Sequence, residues 1–261
     1  KRGVFKSWTV LLAIFAFSLS LLGTFLVRSG ILTSVHAFAS DPERGRFILM
    51  FLLLVIGGSL TLYAFRAPVV KSRIGFSERS REIFLLLNNI IFIVATITVL
   101  GGTLFPLGAE YFGYEMSVGA PYFNLMFAFL VPVLVLIMGV GIFSNWKDTR
   151  VSVLVKNIPT MAVVSLPIAF AVPLLLGALA WLAVVGTFIA SWLILATLLD
   201  VLQKSKSKKG YWHGWLRTSR SYKGMTIGHL GMAITIIGAT LVSHYTLERD
   251  VRMEAGTVTE L

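Results

Sequence analysis

Apolar residues run along this chain in blocks of about 20, the length that crosses ~30 Å of hydrocarbon at 1.5 Å per residue. Short polar stretches separate the blocks, and seven spans follow: 8–27, 46–65, 83–105, 122–143, 159–179, 182–202 and 224–243. A soluble core of this length would need helices with a charged face, and these runs have none. The pattern predicts an all-α, polytopic membrane protein with about seven transmembrane helices and a surface helix or loop at its outer face. Spans five and six are separated by almost nothing, which makes them an antiparallel hairpin. Pro132 in span four and Pro167 and Pro173 in span five remove backbone hydrogen bonds and predict kinks.

The polar stretches divide the chain. Residues 1–45 hold the first span and a loop, and 46–158 hold spans two to four with an acidic, glycine-rich outer loop at 106–121. The hairpin is 159–202, a basic segment is 203–223, and 224–261 is the last span with an outer tail. The first loop, RSGILTSVHAFASDPERGR from Arg28 to Arg46, sets Ile31, Leu32, Val35 and Phe38 at near-helical spacing around His36. That spacing predicts a helix or turn lying on the membrane surface and presenting an imidazole.

Charge then orients the spans. The chain is 13% charged and carries +11, yet 18 of its 23 basic residues fall on the side of Lys1 and 5 on the other. Such alternation is the positive-inside pattern and not a nucleic-acid-binding face, so it places the N-terminus in the cytoplasm and the His36 loop outside. In 203–223, Trp212 and Trp215 stand among lysines and arginines, a combination attracted to anionic lipid headgroups at about 1 kcal/mol per charge. No nucleic acid is expected as a partner. The sequence opens on KRGVFKSW directly before a span, without an initiator methionine, which points to a piece of a longer protein.

There is no cysteine, so a metal held by this chain must use histidine, methionine or oxygen ligands. Of the four histidines, His213 lies in the basic patch as a solvated residue and His244 at the far end of the last span. His229 lies about five residues inside that span, among Gly224, Gly228, Gly231 and Gly238, where a neighbour or flat ligand can approach closely. An ionisable group at that depth is costly and makes His229 a candidate functional residue. Three readings stay open for it: a neutral imidazole bonded to a neighbouring helix, an iron ligand, or a step in a proton path. Asp200 is the one acid inside the spans, which argues against a proton path. Asn88 and Asn89 in span three suit bonds to neighbouring helices. From the residues alone, a transporter or channel lined by kinked helices is the competing function.

Two runs carry a resemblance. TFLVRSGILTSVHAFASDPERGRF, 24–47, resembles the external-histidine segment of the CcmF family of cytochrome c-type biogenesis proteins, and GHLGMAITIIG, 228–238, resembles that family's late transmembrane histidine segment. The similarity covers the whole chain. It implies a membrane subunit of the bacterial cytochrome c haem lyase in the inner membrane, working with other haem lyase subunits. Such a subunit receives haem from the periplasmic haem chaperone CcmE and supports its reduction and attachment to apocytochrome c. It also implies that His36 is one of two axial ligands of incoming haem and that His229 is one of two axial ligands of a resident haem b. Arg28, Arg44 and Arg46 are then candidate partners of the haem propionates, and no residue is assigned acid-base catalysis. The family's tryptophan-rich WWD segment, its other external histidine and its other transmembrane histidine have no counterpart here, so neither haem site is complete within this sequence.

Overall fold

The computed structural model describes residues 5–31, 41–70, 78–177 and 179–246. Among them are eight helices and no strand: α1 Lys6–Arg28, α2 Pro42–Arg66, α3 Arg81–Tyr111, α4 Ala120–Phe143, α5 Val151–Leu175, α6 Trp181–Ser205, α7 Tyr211–Leu216 and α8 Arg220–Tyr245. All but α7 are long and apolar enough to cross a membrane. The chain is an all-α, polytopic membrane protein. His36 and the surface helix expected around it lie outside the described residues.

The chain divides into two compact units, Lys1–Gly75 with Gly101–Val118, and Phe76–Leu100 with Gly119–Leu261. In the first, α1 and α2 form a hairpin fastened at both ends. Ser7 Oγ donates to Val70 O at 2.7 Å at one end, and Asp41 N donates to Arg28 O at 2.9 Å at the other. α2 begins at Pro42, ahead of the expected 46: Asp41 accepts from Arg44 N as the cap, and Pro42 fills a first-turn position whose N–H has no intrahelical partner.

In the second unit α6 is the central helix, flanked by α4, α5 and α8. Its buried side chains, including Ile189, Trp192, Leu193 and Ala196, meet Val135 and Ile142 of α4, Met161 of α5, and Ala233 and Ile236 of α8. Apolar packing of this kind, rather than exclusion of water, holds helices together in lipid, and small residues let them come close. A Cβ on Gly139 would run into the Trp192 ring, and one on Gly186 into Thr240. At the far end of the α5–α6 hairpin, Gln203 Nε2 donates to Asn157 Oδ1 at 3.1 Å.

Two helices, α3 and α5, depart most from the expected spans. α3 continues through Pro106 to Tyr111, and α5 begins eight residues early, at Val151 rather than 159, and runs through Pro159, Pro167 and Pro173. Hydropathy marks the apolar stretch of a helix, whereas backbone bonding carries the helix on into its polar flanks. α5 ends at Leu175, short of 179, because Gly177 takes φ +87°, the left-handed conformation in which glycine closes helices. Within 203–223, residues 211–216 form α7, which packs on the end of α6 at Gly214, where a Cβ would collide with Ser205 O.

Candidate functional site

In the first unit the candidate residues gather at the neck of the α1–α2 hairpin, where the chain leaves at Ile31 and returns at Asp41. Arg28 Nη2 lies 3.9 Å from Asp41 Oδ2, and Arg44 Nε lies 3.2 Å from the same oxygen. Arg28 and Arg44 are thus drawn together by one carboxylate. Arg46 is exposed and has no ion pair among the described residues. Gly45 is buried against the end of α1, where an added Cβ would stand 2.9 Å from Ser29 Cα. The glycine of the DPERGR run is therefore what lets the first turn of α2 lie on α1 and close the neck.

In the second unit, His229 of α8 lines a cleft of about 470 Å³ together with residues of α3, α4 and the α4–α5 loop. The volume is that of a small-ligand site. Met225 and Tyr222, one and two turns earlier on α8, share its face, as do Arg81, Phe84, Leu85 and Asn88 on α3. Met138, Gly141 and Ile142 of α4 complete the apolar wall, and Trp146, Ser219 and Ser221 stand with Arg81 and Tyr222 where α3 and α8 begin.

The imidazole is oriented by its own helix. His229 Nδ1 lies 2.7 Å from Met225 O, one turn back. A carbonyl oxygen only accepts, so Nδ1 must carry the proton, and in the neutral ring Nε2 keeps its lone pair. Nε2 has no hydrogen bond among the described residues. A histidine whose second nitrogen donates to a backbone carbonyl is the arrangement that metal-ligating imidazoles adopt. Of the three sequence readings, the helix-bracing one finds no hydrogen bond here, since the bond His229 makes stays within α8. Gly224, Gly228, Gly231 and Gly238 have nothing within 4 Å of an added Cβ, so that face of α8 is open.

Asn88 does not bond across to a neighbouring helix as expected. Its Oδ1 is buried at the cleft without a hydrogen-bond partner among the described residues. A buried amide oxygen left unpaired is unfavourable by about 1–3 kcal/mol, which a donor entering the cleft would offset.

Asp200 is buried beside this site and fully engaged: Lys204 Nζ is 2.8 Å from Oδ1, and Tyr222 Oη donates to Oδ2 at 2.7 Å. Arg81 is fixed by three contacts. Its backbone N donates to Asn145 O at 2.7 Å, its Nη2 donates to Ile142 O at 2.8 Å, and its guanidinium lies 5.4 Å from the centre of the Trp146 ring. Sequence reasoning nominated neither Arg81 nor Trp146. The available signal was spacing, because Arg81 and Asn88 are two turns apart on α3 just as Tyr222 and His229 are on α8. That signal does not say which helix faces which.

The chain is 52% identical over 262 residues to the cytochrome c-type biogenesis protein CcmF of Pseudomonas aeruginosa, covering all of this chain and 40% of that protein. It is 45% identical over 260 residues to the CcmF of Escherichia coli, covering 98% of this chain and 39% of the other. A solved structure described as "Cytochrome c Heme Lyase CcmF" superposes with a TM-score of 0.69 at 26% identity, over 94% of this chain and 35% of that one. No family model matches. The residues matched in this way, with the fold they adopt, place the chain in the CcmF family of cytochrome c-type biogenesis proteins, spanning about two fifths of the length of the curated relatives it matches.

Proposed function

We propose that this chain is the haem-handling portion of a membrane subunit of the cytochrome c haem lyase in the bacterial inner membrane. His36 serves on the periplasmic side as one axial ligand of haem delivered by the chaperone CcmE. Other lyase subunits bring the apocytochrome c. His229 serves as one axial ligand of a resident haem b nearer the cytoplasm.

The observation that carries the reading is His229 itself. Its protonated Nδ1 is held by Met225 O, its Nε2 is left with a lone pair, and it lines a cleft whose walls are mostly apolar. Those residues fit a flat, largely apolar group with an iron at its centre, and the haem b would supply a one-electron carrier. The chain's own tasks are binding and orientation. His36 holds the incoming iron, Arg46 and the Asp41-bound Arg28 and Arg44 offer guanidinium donors to its propionates, and the hairpin neck fixes where they stand. Attachment to the apocytochrome requires ferrous iron and a haem vinyl group held beside a cysteine thiol, so proximity rather than acid-base chemistry is what the protein must provide.

A transporter reading gains nothing from the structure. Among the described residues the buried acids are Glu82 and Asp200, both near helix ends, and Asp200 is paired with Lys204. A carrier for ions or protons would string such groups across the middle of its helices.

The test is the absorption spectrum of the purified full-length protein. His229→Ala is expected to lose most of its b-type haem, and His213→Ala, a change in the basic segment, to keep it. Equal loss from the two variants, or none from His229→Ala, would remove His229 from the iron.

A further inference from the structure

We propose that Arg81 is the carboxylate-binding residue of the His229 cleft, positioning a haem by one of its propionates while His229 holds the iron. The inference rests on the reading of His229 as an axial ligand.

Arg81 is the one formally charged residue lining the cleft. Its guanidinium is half-buried and pinned, with Trp146 beside it and one nitrogen engaged by Ile142 O. Among the described residues it has no carboxylate at ion-pair distance. The acid that acts on it most, Asp200, already spends both oxygens on Lys204 and Tyr222. Arg81 therefore brings a positive charge to the cleft and retains donors in a planar fork, the geometry that receives a carboxylate. A half-buried cation without a counter-ion is unfavourable in a membrane protein, and an entering anion relieves that.

The surroundings point the same way. α3 starts at Arg81 and α8 at Arg220, so two helix N-termini, each with partial positive charge, meet at this end of the cleft. Ser219 Oγ accepts from Tyr222 N, which leaves its O–H free to donate. Tyr222 and His229 are seven residues apart on α8, about 10 Å at 1.5 Å per residue. That separation is comparable to the reach from a porphyrin's centre to the end of a propionate arm. The other end of the cleft, around Asn88 and Met138, is without charge and suits the ring's apolar edge.

The experiment uses full-length protein carrying His36→Ala, stripped of haem, and compares its affinity for haem b with that for haem dimethyl ester, whose carboxylates are masked. The parent should bind the free acid about tenfold to a hundredfold more tightly, the range of a charge-assisted hydrogen bond. Arg81→Gln should bring the two ligands level, and Arg81→Lys should restore part of the preference. Because the readout is a ratio within one preparation, partial misfolding of a variant does not produce it. A parent that binds the ester as tightly as the acid, or an Arg81→Gln variant that keeps the full preference, overturns the role of Arg81. His229→Ala should weaken both ligands together. If it weakens neither, the axial-ligand reading fails instead, so the two failures are told apart.

Discussion

A histidine that ligates iron and one that braces helices leave different holes when removed. Replacing His229 by alanine opens a coordination position and a small cavity beside it, in a cleft of about 470 Å³ that an exogenous ring can enter. Free imidazole should therefore restore part of the b-type absorption of full-length His229→Ala and do nothing for His213→Ala. A bracing histidine would lose an interhelical bond of about 1 kcal/mol, which a mobile imidazole has no fixed geometry to replace. Failure of imidazole to raise haem in a folded variant at normal level would speak against direct ligation. At this scale the sequence was informative where a residue clashed with its surroundings. An imidazole inside an apolar run stands out, whereas Arg81, at the edge of a span where basic residues are ordinary, does not. Its role comes from Trp146 and Ile142, more than sixty residues away, and no local pattern carries that distance.

Helix contacts here depend on glycines that accept no side chain. Gly139 faces the Trp192 ring, so Gly139→Ala must displace an indole from the packed centre of the second unit. The expected destabilisation is about 1–3 kcal/mol, readable as a lowered thermal midpoint in detergent, with Gly23→Ala, where nothing lies within 4 Å of an added Cβ, as the control. Gly45→Ala presses on backbone rather than on a side-chain tip, and Ser29 Cα cannot yield without moving the end of α1. It should disturb the neck and leave b-type haem at His229 in place. The helices were legible because apolar length is a strong signal, although α2 starts at Pro42, behind the Asp41 cap, and not at 46 where its apolar run was expected to begin. The extra turns of α3 and α5 were not. Prolines at 106 and 159 suggest an ending, and continuous helices run through both. α7 also went unread, being six residues long and in the basic segment.

Over the whole molecule, the 18 to 5 partition of basic residues predicts which loops face the cytoplasm. These 261 residues contain no cysteine, so Ser40→Cys and Ser207→Cys each add one thiol to this stretch, read against the unsubstituted protein as background. An impermeant maleimide added to spheroplasts should label the first and spare the second, and labelling of Ser207→Cys from outside would invert the topology and remove His36 from haem delivery. What sequence could not supply at this scale was convergence: that α3, α4 and α8 build one cleft follows from the packing of α4 and α8 on α6 and from the hydrogen bonds of Arg81 to Ile142 O and Asn145 O, which no single run encodes. The closed neck of the α1–α2 hairpin has a kinetic meaning as well. With Asp41 N bonded to Arg28 O and Asp41 Oδ2 shared by two arginines, the ends of the segment that carries His36 are held together before any haem arrives. Loop-closure entropy, which would otherwise be charged against each binding event, is already settled in the folding of the hairpin. Asp41→Ala gives up a helix cap usually worth about 1 kcal/mol, and with His36 in its proposed role haem capture should then slow several-fold although the imidazole itself is unchanged.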